Sequence, residues 1–466
     1  MDWLRSSASR SPDAPALIGG GEAIAYAALD AAADAVAADL GATGIAPGDR
    51  VALWGEGTPA TVAALWGIPR AGAVAVVLSP RLRPAEAMRR VEAAGVRAAW
   101  GRGPGLDLPR GRRRRRVPPP GRGGPPDPEA RYVVFTSGSS GGGRPVVLTG
   151  ANLEAAAAAS QARLGNGPAD RWLCVLPLSH VGGLSVLWRS AREGGTVVLE
   201  AAFEAPRAAR LLASGTIAFA SLVPTMLRRL LEESSGPFPG VGAVLVGGGP
   251  SDPALLAAAR RVGLPVVQTY GMTETASQVA TEAPAEAGRR PGSAGRPLEG
   301  FEVRAVDGAG RVLPPGVEGR LEVRGPAVFP GYLDEPERSP HGWYRTGDEG
   351  WLDPEGYLYV AGRADAVIVT GGENVHPEEV EAVLRDHPGV ADARVFGEPD
   401  VEWGRRVVAE VVPAAPASRL LEDLEAFART RLAPHQVPKR WVVVARVERS
   451  ELGKPVPPAP APSSPG

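Results

Sequence analysis

Short apolar runs that alternate with helical stretches constrain this chain more than any other feature. Tyr26 to Leu40 is alanine-rich with helical spacing, and Arg50-Val51-Ala52-Leu53-Trp54 reads as a strand. Pro59 to Gly72 is helical again, and Ala73 to Leu78 is a second apolar strand. A second round runs from Leu173 to Val267, with strands expected near 173–177, 196–199, 217–222, 243–246 and 265–268. Such strand–helix alternation predicts α/β units, each a parallel sheet covered by helices. Beyond Gly295 the texture changes to strand and turn, as in Phe301–Arg304 and Gly319–Val323. A compact α+β unit is expected from 363 to 454, with helices at Pro377–Arg385 and Leu420–Leu432 and a strand at Val407–Val412. The expected organisation is therefore a large domain over 1–362, a small mobile domain over 363–454 and a disordered tail over 455–466.

A chain of 466 residues is too long for one ordinary core, which agrees with two domains. A formal charge of −1 argues against a general polyanion binder. No apolar run reaches membrane-spanning length, and the start lacks a signal-peptide pattern, so a cytoplasmic protein is expected. The single cysteine, Cys174, excludes an internal disulfide and a cysteine-cluster metal site, and its apolar neighbours suit a buried strand. Residues 101–130 carry Arg112 to Arg116 and then three prolines. Without interleaved aromatics they suit a solvated loop better than a nucleic-acid or membrane tether. Oligomeric state is open, with a homo-oligomer possible in principle.

The chemistry is concentrated in a few segments. Tyr132-Val133-Val134-Phe135 reads as a buried strand that opens into Thr136-Ser137-Gly138-Ser139-Ser140-Gly141-Gly142-Gly143-Arg144. Glycines let backbone approach phosphate, hydroxyls and amides donate, and Arg144 supplies charge. It is not a Walker A loop, because Arg144-Pro145 stands where Lys-Ser/Thr is required. By itself such a stretch is equally a flexible loop. Downstream lie Gly247-Gly248-Gly249-Pro250, Gln268 to Glu274, Tyr344 to Asp348, Gly362-Arg363, Gly371 to Asn374 and Leu452-Gly453-Lys454. Each has a plain structural alternative: Thr273 as a helix cap, Asp348 as a turn former, Lys454 as a tail lysine. Yet only Lys439 and Lys454 among the 51 basic residues are lysine.

In this order and spacing the segments resemble the adenylate-forming superfamily, which includes acyl-CoA synthetases, luciferases and peptide-synthetase adenylation domains. The resemblance runs from Trp3 to Lys454. It implies an ATP-dependent ligase that first makes an acyl-adenylate and pyrophosphate from a small carboxylic acid. A thiol, usually that of CoA, then displaces AMP. Thr136 to Arg144 would hold phosphate, with Gly143 and Arg144 replacing the family's proline and lysine. Gly247, Gly248 and Gly249 would let adenine approach, with Tyr270 against it. Thr273 would contact the α-phosphate and Glu274 would hold Mg2+. Asp348 would accept from both ribose hydroxyls with Arg363 beside it, and Lys454 would bridge carboxylate and α-phosphate. Gly372 and Glu373 belong to a loop that lines the CoA tunnel after the small domain rotates. The family hinge position, usually Asp or Lys, falls on Ala366.

Three segments resemble one branch, the o-succinylbenzoate–CoA ligases of menaquinone biosynthesis. They are Gly72 to Leu82, Leu176 to Leu199 and Gln268 to Gln278. On that resemblance His180 sits where the acyl group enters, and Thr275, Ser277 and Gln278 face the aryl dicarboxylate. His180 could equally be a packed histidine beside Gly182-Gly183. A ligase for another aryl or medium-chain acid, or a homologue that binds nucleotide without turnover, is the alternative.

Overall fold

The computed structural model describes residues 2–101, 129–136, 143–249, 251–333, 335, 342–364, 366–370, 373–401, 403–415 and 420–449. Two compact units are present: Met1–Val303 with Val323–Tyr344, and Arg304–Glu322 with Arg345–Gly466.

The first unit contains two sheets. One has five strands in the order Ala98–Trp100, Arg50–Trp54, Val74–Leu78, Ala130–Phe135, Pro145–Thr149. The first four are parallel and the last is antiparallel. Every residue of Arg50–Trp54 and Val74–Leu78 is buried, which is why Val51–Trp54 and Val74–Leu78 are continuous apolar runs rather than alternating ones. The other has nine strands in the order Arg296–Pro297, Ser277–Thr281, Val266–Met272, Ala243–Val246, Phe219–Leu222, Arg171–Cys174, Thr196–Leu199, Pro15–Gly19, Glu22–Ala25. Its centre is parallel and both edges are antiparallel.

The largest apolar core joins the facing sides of these sheets. Leu53, Val77 and Tyr132 come from one, and Trp172, Cys174 and Leu199 from the other. Helices Tyr26–Ala42, Pro59–Arg70, Gly150–Leu164 and Val181–Glu193 contribute to that layer. Separate cores cover the outer faces, so the layers run helix, sheet, helix, sheet, helix. Cys174 lies in the central layer at 1% exposure, and burial pushes its thiol up to about 12, too high for a nucleophile.

The second unit holds most of a four-stranded sheet ordered Glu302–Val306, Gly319–Arg324, Tyr344–Leu352, Leu358–Arg363. It also holds a sheet ordered Glu373–Val375, Ile368–Thr370, Gly404–Pro413, Val390–Asp400, with Arg440–Val443 parallel to Gly404–Pro413. Helices Pro377–Arg385 and Leu420–Arg429 pack Val380, Leu384, Leu424 and Ala428 onto it. The α/β class and the strand–helix alternation expected from sequence are present. The last helix stops at Arg429 rather than Leu432, because Thr430 turns its hydroxyl onto the Phe427 carbonyl. Among the described residues no helix is long and apolar enough to cross a membrane.

One close crossing fixes the central layer. A Cβ on Gly67 would lie 2.6 Å from the Ala33 carbonyl oxygen and 2.6 Å from Val36 Cβ, so helices Tyr26–Ala42 and Pro59–Arg70 meet backbone to side chain. Gly67→Ala gains about 1 kcal/mol of helix propensity but costs about 1–3 kcal/mol in overpacking. The expected result is a net loss of stability, seen as a lower urea midpoint with an unchanged slope.

Candidate active site

In the first unit the notable residues gather at the carboxyl ends of parallel strands, where open α/β sheets bind ligands. Strand Ala130–Phe135 ends at Thr136, and the neck of the following loop is closed twice. The Thr136 amide donates to the Arg144 carbonyl (3.0 Å), and the Arg144 amide donates to Thr136 Oγ1 (2.9 Å). Gly143 has φ +61°, and a Cβ there would overlap the Thr136 carbonyl. A proline, fixed near −65°, could not adopt this conformation, so the exchange noted in sequence changes the path of the neck. Ser137, Gly138, Ser139, Ser140 and Gly141 lie outside the described residues.

The Arg144 guanidinium lies over the Tyr332 ring, 3.4 Å from its centroid, and pairs with Glu335. The Tyr332 hydroxyl donates to Glu274 Oε1 (2.7 Å), and Tyr344 donates to the same oxygen (3.1 Å). Glu274 is buried, and among the described residues no Lys or Arg pairs with it. A buried carboxylate with hydroxyl donors on one oxygen and no protein cation suits a hard cation at the other. Thr273–Thr275 form a 3-10 turn with Thr273 half-buried, not the start of an α-helix.

Gly247 and Gly248 follow strand Ala243–Val246, and Tyr270 lies in the adjacent parallel strand Val266–Met272. A Cβ on Gly247 would lie 2.7 Å from Thr269 Cγ2, so only glycine allows this approach. The chain after the turn is forced: Ala276 has φ +54° and Ser277 φ +141°, both unusual for side-chain-bearing residues. This directs Ser277 toward helix Val181–Glu193. Arg189 Nη2 donates to Ser277 Oγ (3.0 Å), with Ser185 Oγ 3.3 Å away.

Arg189 itself is 3% exposed, and its guanidinium lies 5.3 Å from the Trp172 ring centroid. Burial pulls it down to about 9, and no carboxylate among the described residues pairs with it. Its significance could not be read from an arginine-rich sequence. The remaining pocket residues divide. Gln278 is buried with Oε1 unpartnered. Thr275 is fully buried, and its hydroxyl meets the Met272 and Ser277 carbonyls, which braces the turn. His180 is half-buried at the N-terminal cap of helix Val181–Glu193, in the same unit.

In the second unit Asp348 pairs with Arg363 across antiparallel strands, Arg363 Nη1 lying 3.6 Å from Asp348 Oδ1. A Cβ on Gly347 would lie 2.9 Å from Arg363 Nη2. Glu373 is exposed in strand Glu373–Val375. Gly372 and Lys454 lie outside the described residues.

Two family descriptions match: AMP-binding enzyme over residues 4–333, and AMP-binding enzyme C-terminal domain over residues 379–454. The chain belongs to the AMP-binding, adenylate-forming enzymes. It is 36% identical to the 2-succinylbenzoate–CoA ligase of Bacillus licheniformis, over 97% of this chain and 98% of that one. It is 33% identical to the corresponding Bacillus subtilis ligase, over 97% and 96%. The Bacillus subtilis o-succinylbenzoate coenzyme A synthetase bound to the acyl-adenylate OSB-AMP superposes with a TM-score of 0.87 at 31% identity, covering 98% of this chain and 96% of that one. The same protein with ATP and magnesium gives 0.86 at 31%, covering 98% of both chains.

A cluster that the sequence did not reveal lies near Asp348 in this AMP-binding enzyme. His376 Nε2 is 3.0 Å from Glu318 Oε1 and 3.8 Å from Glu349 Oε2. The hydrogen bond to Glu318 raises the His376 pKa against the opposing effect of burial, with the charges of Glu379 and Glu349 adding. Glu378 is raised to about 7, chiefly by burial. Glu381 is also raised by burial, partly offset by Arg385. All three groups bind protons more tightly folded than unfolded, so stability falls as pH rises. The histidine contribution is complete below about pH 6.5 and is lost through its higher folded value. The Glu378 penalty grows between about pH 4.5 and 7. Calorimetry from pH 5.5 to 8.5 should show a falling midpoint, and Glu378→Gln should flatten that slope.

Proposed function

We propose that the chain is an ATP-dependent carboxylate–CoA ligase acting on o-succinylbenzoate in menaquinone biosynthesis, in the cytoplasm where ATP and CoA are available. The ATP machinery follows from family membership, but it does not select the acid. The observation that carries the choice is Arg189, a buried cation without a counter-charge among the described residues. Such a group is costly unless a ligand supplies the anion. A substrate with one carboxylate to activate and a second to anchor supplies it, and a simple fatty or benzoic acid does not. The o-succinylbenzoate for which the related ligases are named is itself a dicarboxylate.

In this reading the chain's own groups position charge rather than perform covalent chemistry. The loop Thr136 to Arg144 holds the outer phosphates, Thr273 contacts the α-phosphate, and Gly247 to Gly249 with Tyr270 receive adenine. Asp348 accepts from the ribose hydroxyls beside Arg363. Glu274 fits Mg2+, which would neutralise charge on the phosphates as pyrophosphate leaves. Arg189 and Ser277 hold the second carboxylate, His180 stands at the acyl entrance, and Lys454 bridges the reacting carboxylate and α-phosphate. The body over 363–454 then turns near Ala366, bringing Gly372 and Glu373 to the CoA thiol that displaces AMP.

CoA-dependent AMP formation with o-succinylbenzoate, beside benzoate and octanoate, tests the assignment. Turnover confined to o-succinylbenzoate is expected, and Lys454→Ala should abolish adenylation. Arg189→Met separates recognition from folding. It removes an uncompensated buried charge, so stability should hold or rise. The KM for o-succinylbenzoate should rise about thirtyfold or more, from a loss of about 2 kcal/mol. An unchanged KM would discard Arg189 as the anchor.

A further inference from the structure

The carboxylate of Glu274 is held by more than its own backbone. Both Tyr332 and Tyr344 direct their hydroxyls at Oε1, and those hydroxyls are 2.9 Å apart. Phe329 meets both rings edge-on, at 4.8 and 5.1 Å between centroids, and its amide donates to the Glu274 carbonyl (2.8 Å). Two donors on a single oxygen fix the carboxylate's rotation and leave Oε2 to a ligand. Tyr332 has a second contact: its ring face carries the Arg144 guanidinium of the phosphate loop. One side chain therefore touches the carboxylate through its hydroxyl and the loop cation through its ring.

We infer that Tyr332 and Tyr344 are positioning residues that orient Glu274 toward magnesium, and that Tyr332 in addition seats Arg144 and ties the phosphate loop to the cation site. This rests on the assignment of Glu274 as the magnesium-holding carboxylate made above. The Arg144–Glu335 pair is exposed on both sides and therefore weak, so Arg144 can leave Glu335 for phosphate while keeping its place on the ring.

Calorimetric binding of ATP to the full chain, with and without Mg2+ and without acid, reads these roles apart from turnover. In Tyr344→Phe and Tyr332→Phe the gain in ATP affinity that Mg2+ brings should shrink about tenfold, with magnesium-free affinity unchanged. Tyr332→Leu should also weaken magnesium-free binding, because Arg144 loses its platform. Ligand-free thermal midpoints, measured alongside, report folding. If both Phe variants keep the full gain while Glu274→Gln loses it, the positioning roles are overturned. If Glu274→Gln keeps the gain, the assignment of Glu274 fails, and the inference with it.

Discussion

A charge taken out of water must find an opposite charge, and in the first unit two buried charges find none among the described residues. Glu274 has hydroxyl donors but no cation, and Arg189 has a hydroxyl and an indole face but no carboxylate. The surrounding packing is apolar and close, so neither can be rescued by solvent at little cost. Each charge therefore leaves room for a partner of opposite sign, a cation for Glu274 and an anion for Arg189. Structural ion pairs look different. Arg260 with Glu282, and Arg304 with Glu322, are buried acids already matched.

Backbone strain holds those charges at fixed positions. Gly271 sits at a bulge in the pairing of Val266–Met272 with Ser277–Thr281, and a Cβ there would overlap the Ser277 carbonyl. Ala276 and Ser277 then occupy positive φ in succession. Strand, tight turn and returning strand are compressed so that Glu274 points to one side and Ser277 to the other. Strain of this kind persists only where neighbours over-determine the conformation. The neighbours here are the Thr275 hydroxyl on two carbonyls and the Phe329 amide on the Glu274 carbonyl.

Periodicity and glycine placement made the architecture legible before any coordinates. Fully buried parallel strands are largely apolar, as Val74–Leu78 is throughout and Arg50–Trp54 is after its first residue. The segments Thr136–Arg144, Tyr270–Glu274 and Asp348–Arg363 stood out because glycines, hydroxyls and charged residues lie close together in local order. What stayed hidden depended on long-range contact or side-chain direction. Arg189 is one arginine among 49, distinguished only by burial. Tyr332 lies 58 residues from the carboxylate it holds, with no sequence period to link them. The contacts of the Thr275 hydroxyl with the Met272 and Ser277 carbonyls were also hidden, because the turn behind them rests on positive φ at the two following residues, neither of them glycine.

The second unit treats its buried acids in the opposite way, and the contrast explains which groups are catalytic in character. Burial raises the pKa of Glu378 and Glu381, and the hydrogen bond to Glu318 raises that of His376. Proton uptake can therefore offset the cost of burying these groups. Among the described residues no histidine or arginine pairs with Glu274, which accepts hydrogen bonds from the Tyr332 and Tyr344 phenols on one oxygen, an arrangement that suits a hard cation at the other. Whether a buried acid meets a proton donor or a neutral hydroxyl thus separates a folding element from a binding one.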